Sequence, residues 1–239
     1  MTAPQPPPSF DEYAGDYDSA LQQGLAISGE SKDFFAAGRI AWLRLRLEKL
    51  GEPPPRSALD FGCGTGSSTP FLHDAFPLDS LCGVDVSAKV IEVARKAYPD
   101  ARNHFSVLPA APVGAPADLA FCNGVFHHIP PVERPAAVRY VFDALRPGGL
   151  FAFWENNPWN PGTRIVMSRI PFDRDAILVW PAQARRLARG AGFEILSTTS
   201  QFFFPAALKP LRFLEPILAP TLLGAQYLVL CRKPVANRR

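Results

Sequence analysis

Residues 59–66 read LDFGCGTG, at the point where a short β-rich run, SALDF (57–61), gives way to a helical one near 66–76. Gly62, Gly64 and Gly66 permit tight φ/ψ values and close approach of a ligand to the backbone. Their spacing is G-x-G-x-G. The dinucleotide fingerprint G-x-G-x-x-G would put a glycine at 67, where Ser67 stands. Nineteen residues beyond Gly66, Asp85 closes a second β-rich run, SLCGVD (80–85). An acid at that place suits paired hydrogen bonds to ribose hydroxyls. Glycine turn and acid both fall at the carboxyl edge expected of a parallel sheet, where open α/β sheets bind their ligands.

Outward from this turn, strand and helix patterns alternate. HFSVL (104–108), DLAFC (118–122) and GGLFAFWE (148–155) read as further strands. Ser87 is placed to cap a helix running to about Tyr98. PVERPAAVRYVFDAL (131–145) and AQARRLARGAG (182–192) read as helices, and FEILSTTSQFFF (193–204) and AQYLVLCRK (225–233) as two final strands. Such alternation implies a parallel sheet with helices on both faces. LPAAPVGAPA (108–117) joins the third and fourth strands without a helix; ten extended residues reach about 33 Å, enough for that crossing. Upstream, residues 10–50 read as helices, with Phe35, Ile40, Leu43 and Leu47 at helical spacing, and GEPPPR (51–56) breaks the chain. The expected division is a tail and helical lid over 1–52, then a core over 53–239 with insertions at 156–180 and 202–224.

Composition narrows the function classes. In 239 residues, 25 basic and 22 acidic side chains leave a net charge of +3, and no basic run marks a nucleic-acid surface. Twenty-six prolines argue against a helical bundle or coiled coil. Cys63, Cys82, Cys122 and Cys231 form no CxxC pair and no Cys/His group with zinc spacing, so no metal is expected and the thiols read as buried and reduced. The opening MTAPQPPPSFDEY lacks the basic-then-apolar pattern of a leader, and no window is long enough to span a membrane; a cytoplasmic setting is expected.

Four motifs in order resemble those of the class I S-adenosylmethionine-dependent methyltransferases: LDFGCGTG (59–66), GVDVS (83–87), CNGVFHHIP (122–130) and LRPGGL (145–150). The last two strands also match, as the antiparallel 7-6 hairpin that separates this family from nucleotide-binding dehydrogenases. The resemblance, over roughly 10–233, implies an α/β fold: a doubly wound, mostly parallel seven-stranded sheet ordered 3-2-1-4-5-7-6, with an antiparallel C-terminal strand and an N-terminal helical cap. It implies S-adenosylmethionine as cofactor. Gly62, Gly64 and Gly66 would back its methionine and ribose portions, Asp60 would approach the amino group, and Asp85 would grip the ribose diol. Val86 and Val90 would pack on adenine, and Asn123 would lie beneath the methionine end. Tyr13 and Tyr17 are candidates to cover the sulfonium, and Arg39 to pair with the methionine carboxylate. FSVLPA (105–110) lacks the acid that relatives often use for the adenine amine.

A sulfonium methyl needs a nucleophile held in line and water kept away. An oxygen or nitrogen acceptor also needs a base. His127 and His128 follow the fourth strand, and His128 matches the family's usual histidine better; Glu155 joins them as a catalytic candidate. WENNPWNPGTRIVMSRIPFDRD (154–175) is too proline-rich for a regular helix and holds Asn156, Asn157, Trp159, Asn160 and Arg164 as candidates to contact the acceptor. Asp173 and Asp175 suit capping of the next helix. The apolar 202–224 stretch reads as a lid, a dimer surface, a peripheral lipid contact or short helices folded onto the core. The leading expectation is methyl transfer to an O, N or C nucleophile of a small molecule, such as a sugar or lipid-like acceptor, by a monomer or homodimer. The alternatives are a non-catalytic cofactor-binding interaction protein and a nicotinamide-dependent oxidoreductase, the latter opposed by the glycine spacing and the terminal hairpin.

Overall fold

The computed structural model describes residues 17–109, 116–174 and 176–235, with side chains from residue 21 onward. Seven strands form one sheet: β1 (Ser57–Phe61), β2 (Ser80–Asp85), β3 (Asn103–Val107), β4 (Ala117–Asn123), β5 (Leu145–Asn156), β6 (Glu194–Gln201) and β7 (Gln226–Arg232). Their order is β3-β2-β1-β4-β5-β7-β6, as the family resemblance implies. β1 lies centrally, with Asp60 opposite Gly83 of β2 on one side and Phe121 of β4 on the other, both parallel. β7 runs antiparallel to both neighbours, with Trp154 opposite Leu228 and Ser200 opposite Tyr227. The order places the carboxyl ends of β1, β2, β4 and β5 along one edge of the sheet, with the strand order reversing between β1 and β4.

Helices cover both faces. On one, α2 (Lys32–Lys49), α3 (Thr69–Ala75) and α4 (Ala88–Ala97) bring Ile40, Leu43, Leu72 and Ile91 against Leu81, Leu119 and Leu228. On the other, α5 (Arg134–Ala144) and α7 (Pro181–Gly190) bring Val138, Val141, Ala184 and Ala188 against Phe151, Phe153 and Val229. Each fully buried Val, Leu, Ile or Phe among these contributes about 1.5–3 kcal/mol, so both faces of the sheet are anchored. The four cysteines are free and buried. Serine caps start two of the helices: Ser31 accepts from Phe34 N–H at 3.1 Å, and Ser87 from Val90 N–H at 3.3 Å.

The N-terminal cap is α1 (Tyr17–Leu25) followed by α2. A buried hydrogen bond from Trp42 Nε1 to Thr199 Oγ1, 3.1 Å, pins α2 to β6. Two expectations change. First, 154–175 does contain a regular helix, α6 (Pro161–Arg169). Proline is tolerated in a first turn, where its missing N–H has no partner to lose, and Asn160 caps the helix by accepting from Thr163 N–H at 3.0 Å. Second, the run FEILSTTSQFFF leaves the sheet at Gln201, because Phe202 takes a left-handed φ of 63°. Beyond it lie a 3₁₀ stretch at Ala206–Leu214, the single turn α8 (Glu215–Leu218) and a 3₁₀ turn at Ala219–Thr221. The crossover at 110–115 and Tyr13 lie outside the described residues, as do Asp175 and the side chain of Tyr17. Among the described residues, no helix is long and apolar enough to cross a membrane.

Candidate active site

The glycine turn leaves β1 and folds back onto β2. Gly62 and Cys63 both donate to Val84 O, at 2.8 and 3.1 Å. Gly62 has φ of 73°, and a Cβ there would meet Val125 at 2.3 Å. Gly64 has φ of 53°, yet a Cβ there would meet nothing within 4 Å. Gly64 lines the cavity, so a side chain at 64 would occupy ligand space. Asp85 braces this turn: its Oδ2 accepts from Gly64 N–H and its Oδ1 from Ser87 N–H, each at 3.0 Å. Gly66 fits for another reason, since its φ is 79° and Tyr98 would be 2.9 Å from a Cβ.

Asp60, next to last in β1, is buried, and its Oδ2 has no hydrogen-bond partner. Burial and the nearby charge of Asp85 push its carboxyl up to about 7, against the opposing pull of Arg39. Asn123, at the end of β4, likewise has a buried Oδ1 without a partner. Arg39, on α2, is buried and donates from Nη1 to Gln226 Oε1 at 2.9 Å; Gln226 in turn donates to Asn156 Oδ1 at 2.9 Å. Asp60, Gly62, Gly64, Asn123, Arg39 and Asn156 all line one cavity of about 470 Å³. Asp85, Gly66, Val86 and Val90 lie outside its lining; Val86 is exposed and Val90 is buried.

His127, His128 and Asp173 also line this cavity. His127 Nδ1 lies 2.7 Å from Glu155 Oε2, and its Nε2 is 3.4 Å from Asp173 Oδ1. His128 Nε2 is 3.1 Å from the same Asp173 oxygen. Burial alone would lower the His127 pKa, but the charges of Glu155 and Asp173 outweigh it and push the imidazole up to about 10. Burial dominates at His128 and lowers it. Asp173 would be raised by burial, but the two histidines hold it down to about 2. Glu155 itself is fully buried and stands behind His127, where Oε1 also accepts from Phe126 N–H at 2.7 Å. It is not among the residues lining this cavity, so it positions His127 from behind.

The acceptor candidates divide. Asn156 and Asn160 line the cavity, although Asn160 is largely committed to capping α6. Asn157 does not reach it: its buried Nδ2 ties down the 222–224 turn by donating to Leu222 O and Gly224 O. Trp159 is exposed and packs edge-on against Trp180, 6.0 Å away. Arg164 lies on the exposed side of α6. The 3.6-residue turn of α6 explains this, sending Thr163 and Met167 inward and Arg164 outward.

Apolar residues fill the remaining wall. Phe34 and Phe35 of α2 meet Phe202, with ring centroids 6.0 and 4.9 Å apart, beside Phe203, Ile170 and Phe172. Phe202 fits because Gly38 has no side chain; a Cβ there would come within 2.7 Å of its ring. Arg212 binds the insertion to α2, pairing with Glu30 at 2.7 Å and lying over the Phe34 ring at 4.5 Å. The sequence reading marks Asp173 only as a helix cap and the 202–224 stretch as a lid among other roles, and does not single out these phenylalanines as a wall. The FFF run at 202–204 was the available signal, hidden because it continues a strand pattern.

Comparison with known proteins agrees with this geometry. Residues 59–151 match the family described as a methyltransferase domain. A trans-aconitate 2-methyltransferase of Azoarcus sp. (strain BH72) is 30% identical over 137 residues, 57% of this chain and 53% of that protein. The chain thus spans about half the length of that relative. An S-adenosylmethionine-dependent methyltransferase from Mesorhizobium loti superposes with a TM-score of 0.54 at 21% identity, over 75% of this chain and 91% of the other. Human N-acetylserotonin methyltransferase, solved with its cofactor, gives 0.64 at 14% identity, over 98% of this chain and 61% of the other. Residues 59–151 thus carry a methyltransferase domain, and the 3-2-1-4-5-7-6 sheet is the fold shared with these S-adenosylmethionine-dependent methyltransferase structures.

Proposed function

We propose that this protein transfers the methyl group of S-adenosylmethionine to a nucleophile on a small, largely apolar acceptor. The observation that carries the reading is Asp60. It is a buried carboxylate with an unpartnered oxygen, beside a glycine whose missing side chain leaves open space. An ammonium group seated there would supply the hydrogen bond that Asp60 Oδ2 lacks. Bound in this site, S-adenosylmethionine supplies an electrophilic methyl group on a sulfonium.

The chain's own residues do the rest. Asp60 holds the ammonium, Arg39 faces the carboxylate of the same methionine, and Asp85, already oriented by Gly64 and Ser87, accepts from the ribose hydroxyls. Asn123 fixes the methionine end. The acceptor enters between the histidine wall and Phe34, Phe35, Phe202 and Phe203, which exclude water. His128, kept neutral by burial and oriented by Asp173, takes the proton of the acceptor's nucleophile. His127 stays protonated between two carboxylates and fixes the wall.

The relatives' name raises a second reading, a polycarboxylate acceptor. The side chains oppose it. Glu30, Asp33, Asp60 and Asp173 line the same cavity as the phenylalanines, against Lys32, Arg39 and the protonated His127. The test is formation of S-adenosylhomocysteine, followed by mass spectrometry, with hydroxylated aromatic and aliphatic acceptors and with trans-aconitate. Turnover that depends on the apolar acceptors supports the proposal. Turnover with trans-aconitate alone would replace it with the second reading.

A further inference from the structure

We propose that His127, His128 and Asp173 form a binding site for a divalent first-row transition metal whose open position faces the acceptor cavity. Three observations converge. His127, His128 and Asp173 each offer one ligand atom, and the three atoms lie within 4.8 Å of one another. The two nitrogen–oxygen separations are 3.4 and 3.1 Å. A tetrahedral ion with ligands about 2.0–2.1 Å away has edges of about 3.3–3.4 Å, so these atoms already stand near ligand spacing. His127 is buried and its Nε2 has no hydrogen-bond partner, although it points into the group.

The third observation is Glu155. It engages the opposite nitrogen, Nδ1, at 2.7 Å, and is itself held by Phe126 N–H. A carboxylate behind a ligating histidine fixes its tautomer and aims Nε2 at the ion. Two imidazoles and one carboxylate suit zinc, iron, cobalt or manganese better than calcium or magnesium, which prefer all-oxygen shells. Asp173 comes from a different loop than the histidines, so no linear spacing announces the set.

All three ligands line the cavity, so the remaining coordination position opens toward the acceptor. The ligand it takes is an acceptor oxygen or nitrogen with a lone pair. In the loaded protein both imidazoles are ligands: metal binding displaces the Nε2 proton of His127 to solvent, His128 no longer serves as base, and the ion lowers the pKa of a bound acceptor hydroxyl, whose proton also leaves to solvent. Only that use rests on the methyltransferase reading; the binding does not.

The experiment uses full-length, tag-free protein, stripped with chelator and titrated with Co²⁺ while the visible absorption is recorded. Saturable bands at one equivalent are expected. Asp173→Asn and His128→Gln should each weaken Co²⁺ binding more than tenfold, and Glu155→Gln by about 10–100-fold. Circular dichroism checks each variant's fold, and His128→Gln, the least buried of the three positions, serves if Asp173→Asn unfolds. Absence of saturable binding to the wild type, or unchanged affinity in folded His128→Gln, would overturn the site. Calorimetry with S-adenosylhomocysteine on the same samples reports separately on the methyltransferase reading.

Discussion

His127 Nδ1 and Glu155 Oε2 lie 2.7 Å apart, and neither side chain reaches solvent. The pair ties the exit of β4 to the end of β5, directly behind the acceptor wall. Glu155→Gln keeps the shape but leaves a buried imidazolium poorly matched. Breaking a buried ion pair from one side destabilises by about 3–5 kcal/mol. The variant should therefore lower the unfolding free energy, measured in urea, and slow turnover by about 10–100-fold, while S-adenosylhomocysteine affinity stays near that of the wild type. A large loss of affinity would place Glu155 in the cofactor site instead.

Asp60 carries the opposite trade-off. Its carboxyl is pushed from 3.8 up to about 7, so the folded state holds a proton that the unfolded state has released. Between those pH values stability falls as pH rises, and the full penalty is present above about 7. Asp60→Asn removes it. The variant should be a few kcal/mol more stable than the wild type at pH 8, with the difference vanishing near pH 4, and should bind cofactor far more weakly. A less stable variant at pH 8 would contradict this account of the site.

The same group sets a pH limit on binding. Only the ionised carboxylate attracts an ammonium, so cofactor affinity should fall by up to about tenfold per pH unit below about 7. Calorimetry between pH 5.5 and pH 8.5, run in parallel on Asp60→Asn, isolates the effect. A wild-type profile as flat as the variant's would count against Asp60 as the ammonium partner.

The cavity's apolar end is adjustable. Gly38→Ala places a methyl group 2.7 Å from the Phe202 ring, which must shift. Overpacking of this kind costs about 1–3 kcal/mol. The shifted ring reshapes acceptor space without touching the glycine turn. KM for the acceptor should change several-fold, with cofactor affinity unchanged. An unaltered acceptor KM would remove Phe202 from the acceptor wall.

Much of this architecture was legible in the chain because its signals are local. LDFGCGTG, Asp85 and alternating strand and helix patterns are all read within a few residues of themselves, and they place the glycine turn and a parallel sheet with helices on both faces, while the strand order followed from the family resemblance. What was hidden depends on distance or direction. Asp173 looks like a helix cap until the fold sets it against His127 and His128. Asn157 and Trp159 look like pocket residues until the register of the turn directs one into the 222–224 backbone and the other to the surface. Pro161 suggests a broken loop, yet proline in a first turn opens a helix there.

The central claim is a cofactor site built on Asp60, Gly64 and Asp85. The most direct test is calorimetric titration of the full chain with S-adenosylhomocysteine, beside NAD and the Asp85→Ala variant. One saturable site, absent for NAD and weakened at least tenfold by Asp85→Ala, is the predicted result. No binding of S-adenosylhomocysteine, or binding indifferent to Asp85, would contradict the account.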